Sequence, residues 1–231
     1  MDRKQTQVLK INYAAESGWG RAMTEYPRVT SILKAMVLFD QDTFWLKPRY
    51  LRRGRLVDTC ASLVAGGQTI EPEWFERASG TADDDRVEHK EVLPYLEGVS
   101  AFMVEHDFVL ERCQLEVTNK SERYIGHLDW LGYFKSDAKS AKVIIDLKCG
   151  PPPPKFIKNR LNPLYVAYRR QTAMYRAALD QQEQIIAKRG ALHLYEGTYK
   201  IVWHNDDWRD TQDAHIMVCS YHDMQQFRRN P

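Results

Sequence analysis

The stretch from Gly126 to Lys148, GHLDWLGYFKSDAKSAKVIIDLK, constrains this chain more than any other. Two runs rich in apolar and aromatic residues flank the polar segment SDAKSAK, a pattern that predicts two strands joined by a turn. Side chains on a strand alternate between faces. In VIIDLK that rule sends Val143, Ile145 and Leu147 one way and Asp146 and Lys148 the other. The upstream strand carries one acidic residue, Asp129, among apolar neighbours. If the strands pair across the turn, Asp129 approaches Asp146 and Lys148 from next door. Two such carboxylates, with the Leu147 carbonyl as a third oxygen, suit Mg²⁺, which is usually held by one or two carboxylates, water and phosphate. Lys148 beside them would orient or deprotonate an attacking water. The plainer reading of D-x-K is a surface hairpin whose exposed ion pair has little energetic weight.

A third segment raises the specificity. In RRQTAMYRAAL, Gln171 and Tyr175 stand four apart and share one face of a helix expected over about Pro163–Gln182. Gly126-x-x-Asp129, Asp146-x-Lys148 and Gln171-x-x-x-Tyr175, in that order, resemble the core of the PD-(D/E)XK nuclease superfamily, above all its RecB-type and phage-exonuclease branch. The resemblance implies an α/β fold, a central mixed β-sheet of about five strands flanked by helices. It implies a metal-dependent DNA exonuclease with Asp129, Asp146, Lys148, Gln171 and Tyr175 as catalytic residues. Mg²⁺, with Mn²⁺ able to substitute, would sit on Asp129, Asp146 and the Leu147 carbonyl.

Relatives often place a metal-site histidine in a G-x-x-x-H helix; here Gly54-Arg55-Leu56-Val57-Asp58 puts Asp58 at that position. Asp58 is then either a third acidic ligand or a sign that the residue is missing. Glu116 resembles an acidic residue that relatives set just before the G-x-x-D strand, near the metal or a second metal; taken alone it is an exposed strand-end glutamate. The resemblance also implies linear DNA with ends as substrate, a single-strand annealing or recombination protein as a partner, and compatibility with a homo-oligomer, since some relatives form rings. Others carry an iron–sulfur cluster. Cys60, Cys113, Cys149 and Cys219 are scattered without a C-x-x-C pair, so no cluster is expected, and free, mostly buried thiols are.

With 231 residues, 43% hydrophobic and 28% charged, the chain reads as an N-terminal arm over 1–25 and one domain over 26–231. A formal net charge of +2 excludes a chain-wide positive field, so any DNA-binding surface has to be local. Candidates are Arg52, Arg53 and Arg55 on one helix, Lys155 and Lys158 beside the proline run, and Arg169 and Arg170 ahead of Gln171. The alternative for each is a solvated charged face. No apolar run approaches the ~20 residues of a membrane span, and the first residues lack a secretory apolar core. The expectation is a cytoplasmic protein of a bacterium or phage-infected host, without membrane contact.

The remaining elements follow from caps and periodicity. Helices are expected after Tyr26, capped by Thr30 or Ser31; over Pro48 to a Gly66-Gly67 stop; over PEWFERASG; and from the acidic run TADDD to His106. FVLERCQLEVTN should pair with YIGHLDWLGYF across Asn119–Glu122, and a second hairpin should turn at Glu196-Gly197. PPPPKFIKNRLNP reads as a stiff connection. A closing helix should bury some of Trp208, Met217, Cys219 and Tyr221. Two other functions stay open: an endonuclease of the same fold, structure-specific or non-specific, and a non-catalytic nucleic-acid-binding protein. Another Mg²⁺-dependent phosphoryl enzyme is disfavoured, because neither G-x-x-x-x-G-K-[ST] nor G-x-G-x-x-G occurs.

Overall fold

Strands that carry apolar residues on both faces need cover on both sides, and the helices supply it. The computed structural model describes residues 26–36, 48–80, 86–136 and 141–229. In chain order the elements are α1 (Val29–Ala35), α2 (Pro48–Ala65), α3 (Pro72–Ser79), α4 (His89–His106), β1 (Phe108–Asn119), β2 (Tyr124–Phe134), β3 (Val143–Cys149), β4 (Phe156–Ile157), β5 (Arg160–Leu161), α5 (Pro163–Glu183), β6 (Lys188–Tyr195), β7 (Thr198–Trp203) and α6 (Asp207–Arg229). The main sheet runs β1-β2-β3-β6-β7, and β4 with β5 makes a separate two-stranded ribbon. Only β3 and β6 are parallel; the other pairs are antiparallel, so the sheet is mixed as expected.

Two apolar clusters sandwich this sheet. One joins α2, α3 and α4 to Trp130, Val143, Ile145, Leu147, Leu192 and Leu194. The other joins α1, α5 and α6 to Tyr124, Leu128, Leu131 and Ile144. The alternation expected for VIIDLK therefore holds: Val143, Ile145 and Leu147 face α2–α4, while Ile144 faces α5. Asp146 and Lys148, at even spacing from Ile144, lie on the α5 side.

Most boundaries match their local chemistry. Gly67 ends α2 at φ +69, with Gln68 N–H reaching back to the Leu63 carbonyl. Glu196 and Gly197, both at positive φ, form the β6–β7 turn. Three expectations need correction. Arg28, not Thr30 or Ser31, is the N-cap of α1, and no side chain bonds there. Helix α4 starts at His89 behind a reciprocal Glu88–Glu91 capping box; the acidic run expected to start it lies in 81–85, outside the described residues. On α6, Met217 is buried and Tyr221 packs against the same cluster, as expected, while Trp208 is 73% exposed and Cys219 faces solvent. Of the four free thiols, only Cys60 is fully buried, so the cysteines are less enclosed than expected. Among the described residues, no helix is long and apolar enough to cross a membrane.

Candidate active site

The site lies where β2 and β3 part. Their ladder pairs Gly132 with Val143, Leu131 with Ile144 and Trp130 with Ile145, and ends there. One further step would set Asp129 opposite Asp146. Instead the Asp129 side chain meets β3, its Oδ2 accepting the Leu147 N–H at 2.7 Å. A strand residue sends its N–H and C=O towards the same neighbour, so the Leu147 carbonyl opens towards the same gap. The kink has a local cause. Leu128 and Leu131, three apart, both sit in the α5-side core, whereas Trp130 joins the other, so period-two alternation breaks at Asp129. On β1, Leu115 pairs with Leu128 and Cys113 with Trp130, which sets Gln114 against Asp129; Gln114 has φ +50 within the strand. Such irregularities re-aim side chains, and they concentrate beside functional sites.

Three carboxylates and one ammonium converge on this gap. Lys148 Nζ lies 2.5 Å from Asp146 Oδ2 and 3.4 Å from Gln171 Oε1, and it sits 4.7 Å from the centre of the Tyr168 ring. Gln171 Nε2 donates to the Tyr175 hydroxyl at 2.8 Å, so one amide ties Lys148 to Tyr175. Gly126 is what admits that tyrosine: a Cβ there would come within 2.6 Å of the Tyr175 ring. From the opposite face, Asp58 of α2 is held by Gln114, whose Nε2 donates to Asp58 Oδ2 at 2.6 Å. Ser62, one turn further along α2, accepts the Trp130 indole N–H at 2.9 Å and pins the helix to β2.

The electrostatics are unbalanced towards negative charge. Burial, with the Asp146 charge added, raises the Asp58 carboxyl to about 7. Burial and then Asp58 and Asp146 push Asp129 well above the usual carboxylate range. Burial disfavours the Lys148 charge, but Asp146 and Asp129 outweigh it and raise its pKa, so the ammonium persists. The Tyr175 phenol is also raised, by burial and the same two aspartates, and stays protonated. Asp58 Oδ1 and Asp146 Oδ2 are buried oxygens without a hydrogen-bond partner; the latter meets Lys148 as an ion pair only. Hard, unsatisfied carboxylate oxygens fit a divalent oxygen-seeking cation. Among the described residues, no three His, Cys, Asp or Glu side chains stand close enough together to hold a metal ion by themselves.

The structure thus brings together Asp58, Asp129, Asp146, Lys148, Gln171 and Tyr175, with the Leu147 backbone at the gap. Glu116 pairs across the ladder with His127, its carboxylate 3.1 Å from the ring, and is largely exposed. Arg53 lies against the Tyr50 and Tyr95 rings. The Arg52 guanidinium covers Gly80, where an added Cβ would fall 1.5 Å from it. Arg55 is exposed, as are Lys155 and Lys158 on the small ribbon. Arg169 is paired with Asp206 and Asp210, and Arg170 with Asp213, all on or beside α6. Sequence reasoning missed Tyr168 and Gln114. Tyr168 was within reach, since 168, 171 and 175 form one helical stripe; Gln114 carries no sequence signal.

No protein-family profile matches the chain, and no curated protein matches it in sequence. Its fold is similar to that in the 2.19 Å crystal structure of a candidate exonuclease from Eubacterium rectale, with a TM-score of 0.52 over 94% of this chain and 83% of that one. Sequence identity between the two is 16%, so the likeness is one of fold: an α/β core of the kind that nuclease adopts.

Proposed function

We propose that this protein is a divalent-cation-dependent deoxyribonuclease of the PD-(D/E)XK type, acting from DNA ends. The observation that carries the reading is the mutual electrostatic influence of Asp58, Asp129 and Asp146 about the β2–β3 gap, with a single lysine among them and Asp58 Oδ1 buried without a hydrogen-bond partner. Asp129, Asp146, the Leu147 carbonyl and Asp58 would hold Mg²⁺, with Mn²⁺ as a substitute. The bound cation would neutralise charge developing at the phosphodiester and favour ionisation of water. Asp146 and Asp129 favour the Lys148 ammonium, and Lys148 would orient or help deprotonate the attacking water and carry positive charge towards the phosphate. Gln171 and Tyr175 hold that ammonium in place. The end-directed mode is supported by the name of the Eubacterium rectale neighbour and by the motif resemblance.

The test is incubation of end-labelled linear DNA and closed circular DNA with Mg²⁺ or EDTA, using wild type and Lys148→Ala. Loss of linear DNA alone, abolished by chelation and by the substitution, is the expected result. Cutting of circles would make the protein an endonuclease of the same fold. Retained DNA binding without metal-dependent cleavage would make it a non-catalytic binding protein.

A further inference from the structure

Immediately past Lys148, Cys149 and Gly150, the chain runs through four prolines into the β4–β5 ribbon. Phe156 pairs with Leu161 and Ile157 with Arg160, around a turn whose residues Lys158 and Asn159 both have positive φ. The ribbon is held at both ends. Gly150 N–H bonds the Leu194 carbonyl at 2.8 Å, Asn162 N–H bonds the Lys155 carbonyl at 2.9 Å, and the Asn162 side chain caps α5 through Leu164 N–H. Yet its apolar side chains face solvent: Phe156 is 55%, Ile157 49% and Leu161 51% exposed. A two-residue ribbon has no reason to display three large apolar residues for its own stability.

The surrounding charge says what kind of partner fits. From Leu147 to Leu179 the chain contains no acidic residue, and Lys155, Lys158 and Arg160 cluster on the ribbon within that run. Lys155 Nζ lies 5.5 Å from the centre of the Phe156 ring, and among the described residues none of the three ribbon cations has an ion-pair partner. A second copy of the chain would bring the same three cations and be repelled. A polyanion with exposed aromatic faces, which is to say unpaired nucleotides, meets both features.

We propose that the β4–β5 ribbon is a single-strand contact, in which Phe156 stacks on an unpaired base while Lys155, Lys158 and Arg160 hold the flanking phosphates. It deepens the nuclease reading and rests on it, since the ribbon follows Lys148 in the chain by way of the four prolines, as a contact for the strand leading to that site.

The test is fluorescence anisotropy in EDTA, with a short labelled single strand and the matching blunt duplex. Phe156→Ala should weaken single-strand binding about 10-fold, the worth of one lost stack, and duplex binding much less. Phe156→Trp should bind like wild type, with its added emission quenched by the strand. Lys158→Glu should lower the salt slope by about one. Unchanged single-strand affinity in Phe156→Ala would overturn the proposal. So would a loss that accompanies dissociation of a wild-type dimer in light scattering, which would make the ribbon a self-association surface. Cleavage with Mg²⁺ is scored separately. If wild type cleaves and Phe156→Ala binds normally, the ribbon assignment alone fails. If binding depends on Phe156 but wild type never cleaves, the nuclease reading alone fails.

Discussion

Helix α5 carries two polar stripes one residue apart, and their charges are compensated to different degrees. Tyr168, Gln171 and Tyr175 face Lys148 and the aspartates; Arg169, Thr172 and Arg176 face β6 and α6. In the second stripe every charge is answered. Arg189, fully buried, meets Asp210 at 2.5 Å and Asp207 at 2.8 Å; Arg169 meets Asp210 at 2.9 Å, and Arg176 meets Asp207 at 2.7 Å. Thr172 bonds His204, whose ring burial keeps neutral by lowering its pKa to about 3. In the first stripe, three carboxylates share one ammonium, and two of their oxygens lack hydrogen bonds. A satisfied buried network holds a fold together, whereas one left short of positive charge is what the proposed cation would complete.

Substitutions on each side put this contrast under the greatest strain. Asp146→Asn should cut DNA cleavage by about 1000-fold with little loss of melting temperature, because it removes one of three crowded carboxylates; unfolding of that variant would erase the distinction. Arg189→Ala should do the reverse, leaving Asp210 buried with Arg169 as its one remaining cation and Asp207 short of a partner, at a cost of about 3–5 kcal/mol, or roughly 10 °C in thermal denaturation. A smaller effect is expected of Gly126→Ala. Its Cβ would press the Tyr175 ring, costing about 1–3 kcal/mol and lowering cleavage through the Gln171–Lys148 link; normal melting and cleavage would show that the ring gives way freely.

The smallest effect tests the sign of the charge imbalance. A carboxyl whose folded pKa is raised contributes stability at low pH that is lost as pH rises. For Asp58 the loss runs from the ordinary carboxylate range, near 3.8, up through about 7. Asp58→Asn should therefore melt a few degrees above wild type at pH 8 in EDTA and show no such gain at pH 4. A variant less stable than wild type at pH 8 would mean that the Asp58 charge is already compensated.

Much of this was legible because the motif residues obey local rules. Asp146 and Lys148 follow from strand alternation, and Gln171 and Tyr175 from helical spacing. What stayed hidden depends on partners distant in sequence. The acidic partners of Arg169 and Arg170 are among these, because α6 folds back and brings Asp206, Asp210 and Asp213 against them. Trp208 looks like core, but it stands on the outer side of the first turn of α6. The role of Asp58 depends on Gln114, whose positive φ has no signature in a strand sequence. The β4–β5 ribbon was read as a connection, because two-residue strands joined through Lys158-Asn159 carry no recognisable hairpin signal.

The most direct test of the central claim is a Mn²⁺-soaked crystal studied by anomalous diffraction, for wild type and Asp129→Asn. The expected result is a peak in the β2–β3 gap within bonding distance of Asp129 and Asp146, lost or weakened in the variant. A wild-type map without a peak there, at a Mn²⁺ concentration that supports DNA cleavage, would contradict it.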